Sequence, residues 1–173
     1  LWSHLFGVSA DHLSASAIGQ IGDDLGVNTW ETILYDNKVV ESQSSYPSTR
    51  LDVDANTGII TLPQGEYYID ASVICHRSGS GGTDGVIVSL QAYNVNTSTE
   101  VPFSFHQGTT PALNTAPLSL RTSFLIDTNG TPITRLQIRV QSDTNRCRLG
   151  ANSGKVPSGS TNHAGFLNIY RIG

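Results

Sequence analysis

Five histidines, two cysteines and a scatter of carboxylates are the residues through which this 173-residue chain could do chemistry. The histidines are His4, His12, His76, His106 and His163. No two stand at metal-ligand spacing, and no HExxH is present. His76, His106 and His163 each fall at the end of a predicted strand and could meet in space. No cysteine or carboxylate accompanies them at ligand spacing, so solvent-facing or interface histidines are the plainer reading. Asp52 and Asp54 alternate with Leu51 and Val53 and read as the polar face of a short strand, because no calcium-loop run of ligands surrounds them. The Ser78-Gly79-Ser80-Gly81-Gly82 stretch carries neither the strand-to-helix context of a nucleophile elbow nor the GK[ST] of a phosphate loop. The remaining Asp and Glu are scattered, mostly in turns, rather than paired across a cleft. No catalytic constellation results. The chain reads as non-enzymatic, with no cofactor and no metal.

Cys75 and Cys147 are too few for a disulfide framework. Cys75 falls on the apolar face of a predicted strand, which suits a buried thiol. A single Cys75–Cys147 bridge is the alternative.

Composition narrows the class. Charged residues make up only 14% and hydrophobic residues 38%, so Ser, Thr, Asn, Gln and Gly must cover much of the surface. Such surfaces are common on extracellular and virion-exposed β proteins. The formal net charge is −4, which argues against nucleic-acid binding. No apolar run approaches the ~18–20 residues of a membrane-spanning helix. Met is absent, position 1 included, which suggests a processed chain or a fragment of a longer one.

The elements that would position these residues are strands. Residues 66–76 alternate. Tyr67, Ile69, Ala71, Val73 and Cys75 share one face; Tyr68, Asp70, Ser72, Ile74 and His76 share the other. The second face is mixed rather than polar, as expected of a strand covered on both sides, by a second sheet or by another subunit. Similar alternation marks 30–40, 86–93, 118–126, 136–140 and 164–172, and Val101, Phe103 and Phe105 suggest one more strand. Asn56-Thr57-Gly58 and 127–130 are turn signals. Loops are expected at 77–85, 107–114 and 142–162. Before Trp30, Ser9-Ala10-Asp11 would cap a short helix running through Ile18. Residues 1–29 therefore read as an N-terminal arm or neck, and 30–173 as an antiparallel two-sheet β-sandwich.

Thr57, Gly58, Ile59, Thr61, Pro63, Gly65, Tyr67 and Tyr68, followed much later by Ala164-Gly165-Phe166-Leu167 and Tyr170, carry a resemblance. Their order and spacing resemble the globular head of complement component 1q, whose fold is shared with tumour necrosis factor ligands. The resemblance covers roughly residues 30–172. It implies a jelly roll and a homotrimer packed around an aromatic-rich face. Tyr67, Tyr68, Tyr93, Phe103, Phe105, Phe166 and Tyr170 are the candidates to line that face.

The resulting expectation is a viral member of this superfamily. It would be a trimeric knob on a virion surface, as a phage fibre or capsid-decorating protein. Its arm, with Trp2, Leu5 and Phe6, would dock on capsid or tail proteins, and its loops would meet a host glycan or surface receptor. A secreted complement-head or cytokine-like binding protein is the alternative, and a lectin-like sandwich a second. Asn96-Thr97-Ser98 and Asn129-Gly130-Thr131 match the glycosylation pattern and fall in predicted turns.

Overall fold

The computed structural model describes residues 11–18, 24–42, 50–78, 85–110, 117–150 and 163–173, and the regular elements among them are all strands. In chain order these are β1 (His12–Ile18), β2 (Glu31–Thr32), β3 (Asn37–Ser42), β4 (Asp52–Val53), β5 (Ile60–Pro63), β6 (Glu66–Arg77) and β7 (Ile87–Asn94). They continue as β8 (Thr99–Glu100), β9 (His106–Thr109), β10 (Leu118–Asp127), β11 (Ile133–Ser142), β12 (Cys147–Leu149) and β13 (His163–Arg171). Alternating Val, Ile, Leu, Tyr and Thr with turn residues between the runs is why strands form here.

Two antiparallel sheets face each other as a β-sandwich. The front sheet runs β10-β6-β13-β1-β3, with β12 also on β6. The back sheet runs β4-β5-β11-β7-β8, with β2 on β11 and β9 on β7. The chain crosses between sheets from β1 to β2, β2 to β3, β3 to β4, β5 to β6, β6 to β7, β9 to β10, β10 to β11 and β11 to β12.

The core lies between the sheets and is built by the period of two. The front sheet sends in Tyr67, Ile69, Ala71, Val73 and Cys75 from β6, Leu120 and Phe124 from β10, Leu167 and Ile169 from β13, and Leu13, Ala15 and Ala17 from β1. Ile60, Leu62, Leu136, Ile138, Val140, Val88 and Leu90 answer from the back sheet. Each fully buried Leu or Ile contributes roughly 1.5–3 kcal/mol.

The Asn56-Thr57-Gly58 turn forms as expected. Asp54 Oδ1 accepts the amides of Asn56 (2.8 Å) and Thr57 (3.0 Å), and Gly58 takes φ 65°. Gly165 answers a different need. A Cβ there would stand 2.1 Å from the Ser72 carbonyl oxygen, so only glycine lets β13 pass this close to β6.

Three expectations are corrected. The helix expected through Ile18 is strand β1, paired with β13 on one side and β3 on the other. Leu13, Ala15 and Ala17 all point inward. Period two and two flanking partners override the loose helical spacing. It follows that residue 30 is not where the sandwich begins. Leu25 is buried and its amide bonds the Cys147 carbonyl at 2.8 Å. The expected strand through Phe103 and Phe105 is interrupted: β8 ends at Glu100 and β9 starts at His106. Pro102 supplies no N–H to a ladder. Finally, the loops expected at 107–114 and 142–162 contain the end of β9 and all of β12.

Candidate functional site

Because β6 pairs with β10 and β13, and β13 with β1, the outward residues of the front sheet line up in rows. The first row is Leu125, Tyr68, Tyr170 and His12. The second is Ser123, Asp70, Asn168 and Ser14. A third follows from Arg121 opposite Ser72 and from Phe166 opposite Ser16. The Phe166 amide also bonds Ser72 Oγ at 3.1 Å.

The first row is aromatic. The His12 ring stacks on Tyr170 with centroids 4.3 Å apart and planes within 8°, and Tyr68 lies tilted against Tyr170 at 6.3 Å. Leu125 extends the row onto edge strand β10, where it is 68% exposed. Phe166, 45% exposed, is the large apolar side chain of the third row and lies tilted against His163, with ring centroids 5.4 Å apart.

The second row is a polar network. Arg121 grips Asp70 bidentately, Nε to Oδ1 at 2.6 Å and Nη2 to Oδ2 at 2.7 Å, and Ser123 Oγ donates to Oδ1 at 3.0 Å. Burial pushes the Asp70 carboxyl up, but the Arg121 and Ser123 hydrogen bonds, the Arg121 charge and Asn168 together hold it below the usual carboxylate range. Ser14 Oγ donates to Asn168 Oδ1 at 2.6 Å and shares a 2.9 Å hydrogen bond with His12 Nε2. An open hollow of about 390 Å³ lies among Asp70, Ser72, Ser119, Arg121, Phe166 and Asn168.

Tyr68, Phe166 and Tyr170 are thus brought together on one open face, and the other aromatic candidates are not. Tyr67 points the opposite way on β6 and is 0% exposed. It is a core residue, its phenol pushed up to about 12, chiefly by burial. Tyr93 lies on the outer face of the back sheet, with the Arg139 guanidinium 3.5 Å above its ring. Phe103 and Phe105 lie in the interruption between β8 and β9. Trp2, Leu5 and Phe6 lie outside the described residues.

The interruption has a defined geometry. Ser104 N bonds the Val101 carbonyl at 3.2 Å, which closes a four-residue turn with Pro102 and Phe103 in the middle. Phe103 has φ 63°. Proline followed by a positive φ is the pattern of a type II turn, whose third position ordinarily takes glycine. A side chain there costs about 1–2 kcal/mol. Phe103 nonetheless stands 92% exposed. The turn is fixed from behind, because buried Ser104 bonds the Val101 carbonyl (2.7 Å) and the Ala92 amide (3.0 Å) and its own carbonyl accepts Thr122 Oγ1 (2.8 Å).

The cysteines are buried and free. Cys75 is opposite Leu149 and Cys147 opposite Arg77, so the two are diagonal neighbours across β6 and β12 rather than a facing pair. The Cys147 side chain hydrogen-bonds Cys75 and, with burial, raises its thiol well above the ordinary value. The expected alternative of a bridge is not what the structure holds. His76 Nδ1 pairs with the Gly150 carbonyl (2.8 Å), and no group of three His, Cys, Asp or Glu converges as a metal site among the described residues. No helix among those residues is long and apolar enough to cross a membrane.

Sequence reading passed over Leu125, His12 and the Pro102-Phe103 turn. Leu125 left a signal, being the apolar residue on the phase that otherwise holds Ser119, Arg121 and Ser123. No protein-family model matches the chain, and no curated protein matches it.

Proposed function

We propose that this chain is a non-enzymatic structural and attachment module that assembles as a homotrimer through the outer face of its front sheet. One observation carries the reading: Leu125, Tyr68 and Tyr170 form an apolar row, with Phe166 beyond the polar Asp70 row, on a sheet whose other side is already packed. Exposed aromatic side chains gathered on one face mark an interaction site. The repeated crossings between the two sheets support a jelly roll. The threefold count comes from the likeness of the Thr57–Tyr68 and Ala164–Tyr170 motifs to the complement-head superfamily. The placement as a knob on a virion, phage fibre or capsid surface comes from the sparse charge and the Ser/Thr/Asn-rich covering. In this reading Trp2, Leu5 and Phe6 dock on capsid or tail proteins, and the connections between β6 and β7, β9 and β10, and β12 and β13 face a host receptor.

Light scattering at low concentration tests it. The protomer is 18.5 kDa. A stable species of three times that mass is the expected result, and a monomer at every concentration overturns the assembly.

A second reading is favoured by the hollow beside Phe166. An aromatic ring flanked by Asp70, Asn168 and Arg121 is a combination that holds sugars, by stacking and by paired hydrogen bonds. A monomer that binds glycans and loses them in Phe166→Ala would establish this lectin-like reading instead.

A further inference from the structure

The Val101–Ser104 turn is built against its own chain's interest. Its third position has φ 63°, where glycine fits best, yet it holds Phe103, almost fully exposed. Within the protomer the ring gains little burial to offset that backbone. Strain that the surroundings hold in place points to a use outside the folded chain.

The neighbourhood indicates the use. Pro102, Phe103, Val101, Leu125 and Ile126 line a groove of about 280 Å³, rimmed by Glu100 and Asp127. Leu125 belongs to two surfaces at once. It lines this groove, and it also ends the aromatic row through Tyr68 and Tyr170. The groove and the aromatic face are therefore one continuous surface that turns the corner of edge strand β10.

We propose that Phe103 is the anchor of self-association, inserted from the edge of one copy into the aromatic face of the next. This rests on the assembly proposed above and names the residue that directs it. The occupant is a second copy by the assembly proposed above, and the surface that would bury the aromatic row continues through Leu125 to the turn. Face-to-face pairing would bury the row against itself and leave Phe103 in water. An edge meeting a face is a head-to-tail contact, and such contacts form a ring where the rotation closes on itself, as a trimer requires. An aromatic side chain pre-placed by a rigid turn is also the type that dominates interface energetics, because little freedom is lost when it docks.

The test is the full chain, wild type beside Phe103→Gly, Phe103→Asn and Leu125→Ser. Each is followed by sedimentation velocity over a concentration series and by thermal melting of the dilute protomer. Gly and Asn both accept φ 63°, so either change should leave the protomer's melting temperature level or higher. Both should weaken self-association by about 30-fold, as removal of an interface anchor does. Leu125→Ser should weaken it less. Wild-type assembly that persists unchanged in both Phe103 variants overturns the anchor and leaves the assembly standing. A melting temperature that falls in both variants also overturns it, since Phe103 would then be packing within its own protomer. A monomeric wild type overturns the anchor and the assembly together.

Discussion

The two sheets are alike on the inside and unlike on the outside. Facing the core, both present mainly apolar side chains, spaced by the period of two. Facing outward, the front sheet carries Tyr68, Tyr170, Phe166, Leu125 and His12 around the Asp70–Arg121 pair. The back sheet carries Arg135, Gln137, Arg139 and Gln141 along β11, with Tyr93 capped by Arg139 and Ser89 bonded by Gln107. A solvated sheet face needs only to be polar, and the back sheet is mostly so, with Ile87 its exposed aliphatic residue on β7 and Ser89 and Gln91 covered. The front sheet instead keeps aromatic rings on water and orders its polar groups across four strands. Packing inside the sandwich requires neither, so the difference supports the proposed assembly through the front face.

The comparison can be broken or sharpened by substitution. The largest effect should be common to both sheets. Ile69→Ala in front and Ile138→Ala behind should each lose about 2–5 kcal/mol of stability in urea melts, since both side chains are 0% exposed. A marked inequality would mean that the core is not shared as described. Next, Tyr170→Ser should weaken self-association by about 30-fold in sedimentation, while Gln137→Ser leaves it unchanged. Equal effects on the two faces would erase the distinction.

The polar row should register in pH. Asp70 titrates below its ordinary value when folded, so the stability it contributes is complete above the unfolded-state value of about 3.9 and is lost as pH falls through the folded one. Asp70→Asn should flatten that acid limb and cost about 1 kcal/mol at neutral pH, a modest sum because the Arg121 side chain is largely exposed. The smallest change belongs to the back face. Arg139→Gln should remove its contact with Tyr93 at a cost of about 0.5 kcal/mol and leave assembly untouched.

The inside of this molecule was legible because period two is dictated by the pleat. Tyr67, Ile69, Ala71, Val73 and Cys75 fall inward as their alternation requires. The outside was legible only in part, because alternation says that Tyr68 and Tyr170 point outward and nothing about what lies beside them. Their row exists through the pairing of strands far apart in sequence. Strand β1 was missed for the same reason. Seven residues of His, Leu, Ser, Ala and Ile carry weak local preference, and β3 and β13 decide their conformation. The spacing of Val101, Phe103 and Phe105 mimics a strand, whereas the chain follows Pro102, which lacks the N–H a ladder needs, into a turn.

Strand β1 sits between β3 and β13, and the Ser14–Asn168 hydrogen bond between β1 and β13 joins residues 154 positions apart. At a synthesis rate of about 5–20 residues per second, that separation leaves the inner edge of β1 open for roughly 8–30 s before β13 emerges. Until then the front sheet lacks its central partner, and its unpaired strands are open to wrong pairing with neighbouring nascent chains. Long-range closure of this kind also slows refolding from denaturant. The order in which the chain leaves the ribosome thus makes β13 the closing strand of the sandwich. Truncations that remove it should abolish folding rather than trim it.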